Sequence, residues 1–469
     1  MVFASLPFIF FIFPLFLVID FLSQKKNIIR NCSLIGVSLF FYSFDGDNSS
    51  FTVLICYGLL NYLFGYILEV SKSKSEVCRR LLLIIFVVIN ILALVFYKYA
   101  YWIVSLFQES GIVENINFKH RALPLGISFF TFHAVSYLID ISRGELNGKS
   151  KFINFLTYFF MFPHLIAGPI VRFKQVTDDL DNRTYDSNLF NYGLYRFILG
   201  VNKKILIANS VAPMADLAFA YNITDISMLD AWVGAIAYML QIYFDFSAYS
   251  DMAIGLAAIA GFRFSENFMS PYKSRSIKEF WRRWHISLSS WLRDYVYIPL
   301  GGSRVRTSRI YFNLIIVFFL CGLWHGANFT FVVWGLYNGL FLILERLFLG
   351  KVLERIPSIL THLYAVFVVL IGWVIFRSDN LTQAVDYLSV MFGFNNFGNV
   401  SICSYKVLNY IAFVAGIIIS FITIKKFDSS NSKEASISTL TYSFNSVLFI
   451  LSILVMYFGA QNPFIYFNF

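Results

Sequence analysis

Charged side chains are scarce in this chain. They make up 14% of its 469 residues, whereas soluble globular proteins carry roughly 25%, and the mean hydropathy is +0.67. This composition excludes an ordinary water-soluble enzyme. Apolar runs of roughly the 20 residues that a bilayer requires recur along the chain. They occupy residues 2–21, 51–70, 81–97, 310–334, 364–376, 406–424 and 446–457.

Cysteine is also sparse, and histidine pairs are lacking. The five cysteines are scattered without a CxxC pair, which argues against a disulfide framework or a zinc site. The six histidines form no HxH or HxxxH pair, so we predict no metal site and no bound cofactor. The formal charge of +10 fits basic loops that face anionic lipid. We therefore expect membrane lipid, and no nucleic acid, as a partner.

The apolar runs are continuous, whereas the strands of a membrane β-barrel alternate. The sequence therefore predicts an all-α polytopic membrane protein. Between residues 120 and 330 the hydrophobic pieces are shorter and are broken by glycine, proline and charge. Broken helices at membrane depth are tolerated where they are buried in protein or line a watery cavity. This region predicts a bundle around a central funnel or tunnel, with re-entrant helices.

The first apolar run lacks a basic start and a small-residue cleavage site, so we expect it to be the first span rather than a signal peptide. Basic residues follow within 25–30 and again within 72–80, and a polar, acidic stretch lies at 44–50. The positive-inside rule then places the N-terminus outside and the basic loops in the cytoplasm.

We predict one integral membrane domain over residues 1–469, because no internal repeat or low-complexity tract divides the chain. Two polar stretches are the candidate linkers or surface loops. They are residues 172–191 and 425–438.

The stretch 272–309 is strongly basic and rich in tryptophan. On a continuous helix its large apolar side chains share one face. They are Trp281, Trp284, Leu288, Trp291 and Tyr295. This pattern predicts an interfacial amphipathic helix with an aromatic face and a basic face. Two interpretations remain open, a surface anchor and a helix that turns His285 toward a catalytic passage.

Two carboxylates, Asp245 and Asp251, lie in an otherwise apolar stretch. Carboxylates at membrane depth are costly and are usually functional or paired. The alternatives are a functional role and an ion pair with one of the central arginines.

A single histidine lies in the apolar stretch CGLWHGAN, at position 325. Gly322 and Gly326 permit close approach of another backbone or a ligand, and Trp324 offers a flat wall. Since a neutral imidazole can take up a proton, His325 is a candidate general base in a dry tunnel. The alternatives are a hydrogen-bonded core histidine and a Cys–His nucleophile with Cys321, one turn earlier.

The motifs WRRWHISLSSWLRDYVYIPLGGSR and WHGANFTFVVWGLYNG resemble those of the membrane-bound O-acyltransferase family. The resemblance is strongest to its bacterial branch that O-acetylates exported polysaccharides, such as alginate and peptidoglycan, and weaker to teichoic-acid D-alanyl transfer proteins. Three further stretches resemble that branch: LPLGISFFTFHAVSYLIDISRG, FPHLIAGPIVRF and QIYFDFSAYSDMAIGLA. The resemblance covers residues 1 to about 376, and the helices in 377–469 match weakly.

The resemblance implies a helical bundle around a central funnel, with His325 as the catalytic histidine and His285 as a second functional position. It implies that a histidine activates an acceptor hydroxyl for attack on an acyl thioester, with acetyl-CoA the expected donor. His133 and His164 lie in family-like stretches and are not expected to be catalytic.

Other side chains near the motifs are candidates for substrate contacts. Those expected to line the tunnel are Trp284, Trp324, Asp245, Arg293 and Asp294. Arg282 and Arg283 are expected to dock an anionic donor, such as a CoA phosphate or a carrier protein.

The expected setting is the bacterial inner membrane, and the expected acceptor is a polysaccharide or an extracytoplasmic, hydrolase-like (SGNH-type) acetyltransferase that passes the acetyl group on. The alternatives are a lipid or protein O-acyltransferase and a transporter or flippase. Broken helices and membrane carboxylates suit a transporter. However, a transporter predicts inverted repeats, which the sequence lacks.

Overall fold

The computed structural model describes residues 3–24, 26–44, 48–112, 122–146, 151–220, 225–394, 405–422, 438–459 and 464–465. Within these ranges the regular elements are all helical, as predicted. The α-helices are α1 (Phe13–Ser23), α2 (Asn27–Ser43), α3 (Asn48–Val70), α4 (Glu76–Lys98), α5 (Ala100–Glu109), α6 (Ile127–Arg143), α7 (Phe152–Phe160), α8 (Phe162–Leu165), α9 (Phe173–Asn182), α10 (Ser187–Asn202), α11 (Asn209–Ala220), α12 (Met228–Ile259), α13 (Ile277–Arg283), α14 (Ile286–Leu292), α15 (Thr307–His325), α16 (Phe329–Leu344), α17 (Gly350–Leu353), α18 (Ser358–Arg377), α19 (Leu381–Met391), α20 (Val407–Ser420) and α21 (Thr439–Phe458).

Six helical segments in the described ranges are long and apolar enough to cross a membrane. They are Asn48–Ser73, Glu76–Lys98, Thr307–His325, Phe329–Leu353, Ser358–Arg377 and Thr439–Phe458. The apolar runs predicted at 51–70, 81–97, 364–376 and 446–457 each fall in one of these segments. The chain is therefore an all-α, multi-pass membrane protein.

The apolar run at 310–334 forms two helices, so its reading as a single span was wrong. Helix α15 ends at His325, and Gly326 adopts an extended backbone with φ −176° and ψ 163°. Asn328 then caps α16, because its Oδ1 accepts a hydrogen bond from the Thr330 N–H at 3.1 Å. Glycine and asparagine are residues that end and begin helices. His325 consequently lies at a helix terminus and not in the middle of a span.

Two other predicted spans are shorter than expected. The run at 2–21 forms a helix over Phe8–Ser23, which begins with a π-helical turn, and the run at 406–424 forms Val407–Ser420. Both are shorter than the roughly 20 residues that a full crossing needs. Residue 25 and residues 45–47, used for the orientation prediction, lie outside the described ranges.

The polar stretch 172–191 is not a linker. It forms α9 and the start of α10, and Phe173, Val176 and Leu180 of α9 are buried. An amphipathic helix with one apolar face explains both its polar composition and its packing. Residues 425–437 of the second candidate loop lie outside the described ranges.

The chain divides into two compact units. The first contains Met1–Phe197 and Met252–Ser265, and the second contains Ile198–Asp251, Glu266–Asp428 and Ile437–Phe469. In the first unit, α2 packs on α7, while α3 and α4 pack on α6. In the second unit, α15 packs on α16, α16 on α18 and α11 on α20. Both motif histidines, His285 and His325, belong to the second unit.

Helices α15 and α16 approach each other closely through glycine. A Cβ atom on Gly322 would lie 2.3 Å from the Phe331 carbonyl oxygen, and one on Gly335 would lie 2.2 Å from the Phe318 carbonyl oxygen. Small residues allow such backbone approach between membrane helices. The two glycines therefore fix the helix hairpin that carries His325.

We expect Gly322→Ala to destabilise the protein, because backbone atoms cannot move aside as a side chain can. Overpacking of this kind costs about 1–3 kcal/mol. The measurement is thermal unfolding of the detergent-solubilised protein. Gly36→Ala is the matched control, since a Cβ on Gly36 meets no atom within 4 Å. An equal unfolding temperature for both variants would contradict the close-packing account.

Candidate active site

His285 lies at a break between two short helices. Helix α13 ends at Arg283 and α14 begins at Ile286. His285 has φ 41° and ψ 54°, a left-handed conformation that is uncommon for a residue with a Cβ. The backbone is held on both sides: Met269 N–H donates to the Arg283 carbonyl oxygen, and Ile286 N–H donates to the Asn267 carbonyl oxygen, both at 2.9 Å. This pairing holds the strained residue in place.

The prediction of a continuous amphipathic helix across this region is therefore wrong. The break at His285 separates Trp281 from the residues of α14, so the five large apolar side chains do not form one helical face. All five are buried: Trp281, Trp284, Leu288, Trp291 and Tyr295. The aromatic side chains pack inside the second unit, whereas the prediction placed them on the membrane surface.

The orientation of the His285 ring is set by Asn267. His285 Nδ1 lies 3.2 Å from Asn267 Oδ1, which also accepts hydrogen bonds from the Ser287 N–H and the Ser287 hydroxyl. Because a backbone N–H can only donate, this atom of Asn267 is the oxygen, and a hydrogen bond from His285 to it places the ring proton on Nδ1. The Ser287 hydroxyl oxygen lies farther from Nδ1, at 3.4 Å. The Asn267 amide is itself fixed, since its Nδ2 donates to Ser250 Oγ at 3.0 Å.

His285 Nε2 consequently carries the lone pair. It is buried and has no hydrogen-bond partner among the described residues. Burial also lowers the pKa of His285 to about 3, so the ring is neutral at pH 7. A neutral imidazole with one fixed N–H and one open nitrogen can accept a hydrogen bond or a proton from a reactant.

His325 and His285 lie against the same indole ring. His325 is buried, and its ring centroid lies 4.8 Å from that of Trp324, while the His285 centroid lies 6.0 Å from the same ring. The structure therefore brings together the two histidines predicted from motifs about forty residues apart.

The two histidines are also connected on the other side through aromatic rings. Successive centroids around this closed path lie between 4.8 and 6.3 Å apart. The path, which we call the aromatic circuit, runs through His285, Trp324, His325, Trp334, Trp373, Trp284 and Phe268. Such spacing is typical of packed aromatic pairs. Within the circuit, each imidazole packs against the apolar surface of neighbouring rings. In such surroundings bulk water does not compete with a reactant for the ring nitrogen.

The two membrane carboxylates form ion pairs, but with lysines rather than the arginines proposed from the sequence. Asp245 Oδ1 lies 2.6 Å from Lys204 Nζ, and Asp251 Oδ2 lies 2.8 Å from Lys203 Nζ, with all four side chains buried. Asp245 Oδ2 also accepts the Ile465 N–H at 2.7 Å. Phe246, the residue after Asp245, packs edge-on against the His285 ring at 4.6 Å. The pairs thus brace the helix that supports His285.

The other charged candidates lie in more exposed positions. Arg293 is exposed and forms a two-point pair with Asp294, at 2.6 and 3.1 Å. Arg283 is bound by the Glu279 carboxylate at 2.8 Å and by the Met269 carbonyl oxygen at 3.1 Å. Arg282 is exposed. Of the two predicted docking arginines, Arg282 therefore presents the more accessible guanidinium.

The remaining histidine and cysteine candidates lie elsewhere or fit less well. His133 and His164 are in the first unit and pack on each other with centroids 4.4 Å apart. Cys321 is buried one turn before His325 in α15. Within the described ranges, no three His, Cys, Asp or Glu side chains gather as metal ligands.

Sequence reasoning missed Asn267, which positions His285. The available signal was weak: an uncharged amide in the non-helical connection between α12 and α13. Such side chains often tie loops through hydrogen bonds. No local pattern, however, indicated that this amide would contact a histidine 18 residues later.

Comparison with known proteins gives a consistent assignment. The profile of the membrane-bound O-acyltransferase family matches residues 120–414. The probable alginate O-acetylase of Azotobacter vinelandii is 43% identical over 84% of this chain and 79% of its own length. The peptidoglycan O-acetyltransferase of Helicobacter pylori is 34% identical, over 81% and 76% respectively.

A third relative is more distant. The teichoic acid D-alanyltransferase of Bacillus subtilis is 30% identical over 48% of this chain and 59% of its own length. The resemblance inferred from the two histidine motifs is thus confirmed, and both motifs fall inside the matched range. The chain belongs to the membrane-bound O-acyltransferase family and is an O-acyltransferase.

Proposed function

We propose that this enzyme takes acetyl groups from a thioester donor for the O-acetylation of an exported or cell-wall polysaccharide. The observation that carries the proposal is the pair of buried histidines on one indole within the aromatic circuit. Two relatives are named for acetyl transfer to alginate and to peptidoglycan, which supports acetyl as the acyl group and polysaccharide as the acceptor class.

In the proposed reaction, His325 acts as general base. An acceptor hydroxyl oxygen attacks the carbonyl carbon of the thioester while an imidazole nitrogen of His325 takes the hydroxyl proton. The new C–O bond forms, the C–S bond breaks, and the thiolate leaves with the proton returned from His325. The acceptor alcohol and the thioester are thus converted into an ester and a free thiol, and the reaction balances without an oxidant.

His285 is proposed to hold a reactant beside that bond. Its Nδ1–H is committed to Asn267, so its Nε2 can only accept, and it suits an N–H or O–H group of a bound reactant. Orientation of this kind converts an encounter between two reactants into a reaction within one complex. The apolar walls of the circuit exclude water, which would otherwise hydrolyse the thioester.

The proposed location is the bacterial inner membrane. A thioester donor such as acetyl-CoA is cytoplasmic, whereas an exported polymer lies outside. A base held within the membrane lets both reach one point without an open pore. Arg282 is the proposed contact for an anionic donor, since Arg283 is already held by Glu279. On the outer side, the proposed acceptor is the polymer itself or an extracytoplasmic hydrolase-like acetyltransferase that passes the acetyl group on to the polymer.

The test is the fate of labelled acetyl groups. Membranes that contain the protein are incubated with acetyl-CoA labelled in the acetyl group, and label is measured in the polymer, lipid and protein fractions. We expect label in polymer, and its loss in His325→Ala and His285→Ala. His362→Ala is the control, because His362 lies in α18 and packs on Phe421, away from the circuit. If the label is found in extracted lipid and is lost in the same variants, the acceptor is a lipid and not a polysaccharide.

A further inference from the structure

A cavity lies at the junction of two membrane-spanning segments, within the second unit. Its volume is about 690 Å³, and residues of α13, α15, α16 and α18 line it together with the turn at 345–358. This stretch contains the π-helical end of the segment Phe329–Leu353, with α17, and the connection to the segment Ser358–Arg377. The cavity therefore lies where one candidate membrane span ends and the next begins. Neither His285 nor His325 lines it.

Four cations surround the cavity, and all four are exposed. They are Arg275, Lys278, Arg346 and Lys351. Two carboxylates also line it, Glu345 and Glu354. Within the described ranges, none of the four cations lies within ion-pair distance of either carboxylate. Cations gathered around a cavity without carboxylate partners are a site for an anion.

Glu345 is occupied by other donors. Its carboxylate accepts hydrogen bonds from the Ile277 N–H at 2.6 Å, the Lys278 N–H at 3.0 Å and the Tyr364 hydroxyl at 3.1 Å. A carboxylate satisfied by three donors does not need to pair with a cation. With Glu345 held by these donors, Glu354 is the other carboxylate of the lining, and the four cations still outnumber the two carboxylates.

The surroundings of the cavity are apolar. Exposed large apolar side chains flank the same turn: Leu347, Phe348, Val352, Ile359, Leu360 and Leu363. Inside the cavity, Leu314 and Leu342 contribute apolar wall. A soluble anion needs only the cations, whereas an anionic phospholipid uses the cations for its phosphate and the apolar side chains for its acyl chains.

We propose that this cavity binds the phosphate headgroup of an anionic phospholipid, with the acyl chains lying along the exposed apolar side chains of the turn at 345–358. The arginines contact the phosphate through paired N–H donors, and the lysines add positive charge. The bound lipid anchors the junction between the two spans at the membrane surface.

The test uses the full-length protein in neutral detergent. Native mass spectrometry measures retention of phosphatidylglycerol and of phosphatidylcholine with the same acyl chains. We expect tighter retention of phosphatidylglycerol, weakened about fivefold for each charge removed in Arg346→Gln and Lys351→Gln, and further in the double variant. Arg304→Gln combined with Arg306→Gln removes two exposed charges outside the cavity and is expected to leave retention unchanged.

Three outcomes would overturn the proposal. Equal retention of the two lipids would remove the headgroup preference, and equal losses in the cavity and control variants would reduce the effect to general charge. Binding of coenzyme A or inorganic phosphate at the cavity without any phosphatidylglycerol preference would assign it to a soluble phosphate. The first two results leave the proposed acetyl transfer unchanged, since the variants lie outside the aromatic circuit, whereas coenzyme A binding would move the proposed donor contact from Arg282 to this cavity.

Discussion

Replacement of His325 by alanine is expected to lower the rate of acetyl transfer by a factor of about 10² to 10⁴, the usual contribution of a positioned general base. The acceptor hydroxyl would then lose its proposed general base, and the rings packed on His325 supply no replacement, because they are those of Trp324, Trp334 and Phe376. The rate is measured as release of free thiol from the thioester donor by protein reconstituted in lipid. Stability should change less than activity, since His325 is the last residue of helix α15.

The control separates chemistry from packing. His362→Ala removes an imidazole of the same size from α18, where it contacts Phe421, and should leave the rate within about twofold. His325→Gln retains much of the volume and hydrogen-bonding capacity but cannot take up a proton, so it should be as inactive as His325→Ala. A His325→Gln enzyme with wild-type rate would show that the ring only fills space.

Replacement of Asn267 by leucine is expected to slow the reaction by about 10- to 100-fold, the scale seen when the partner that orients a functional side chain is removed. Without the Asn267 oxygen, the proton of His285 Nδ1 loses its nearer acceptor and is left with the longer contact to the Ser287 hydroxyl at 3.4 Å, so the ring can rotate or exchange its proton to Nε2. Nε2 would then no longer present a lone pair. Asn267→Asp restores an oxygen at this position and should recover most of the rate.

The pH dependence gives a readout that a packing defect would not produce. A carboxylate beside Nδ1 favours the charged imidazole, so the pKa of His285, which burial lowers in the wild type, should rise in Asn267→Asp. If neutral His285 is required, activity in that variant should fall at a higher pH as the solution is acidified. Asn313→Leu is the control, because that buried amide ties residues 300 and 302 away from the circuit. An unshifted acid limb in Asn267→Asp would contradict the positioning role.

The membrane helices could be predicted from the sequence because their length and composition are local properties. The positions at which the apolar runs break could be predicted only in part. Gly326 and Asn328 carried a readable stop and start signal, but the uninterrupted apolar character on both sides concealed it. The break before Ile286 had no such signal, since it depends on hydrogen bonds to the chain at residues 267–269. Local periodicity contains no information about a pairing of that kind.

The site was predicted to a similar extent. Both histidines were identified from their motifs, and the structure places them on a common indole. The lysine partners of the buried carboxylates were not identified from the sequence. Lys203 and Lys204 lie in a π-helical turn, Lys203–Ala208, which is not apparent from residue type. Arg282 and Arg283 looked equivalent in sequence, and only the Glu279 contact distinguishes them.

The most direct test of the account is polymer-bound acetate in cells that lack this protein, complemented at matched membrane levels with wild type, His325→Ala, His285→Ala or His362→Ala. We expect full acetylation with wild type and His362→Ala, and loss of polymer acetate with both His325→Ala and His285→Ala. Normal acetylation with His325→Ala, at normal protein level, would make that histidine a packing residue and would contradict the assignment of acyl transfer to the aromatic circuit.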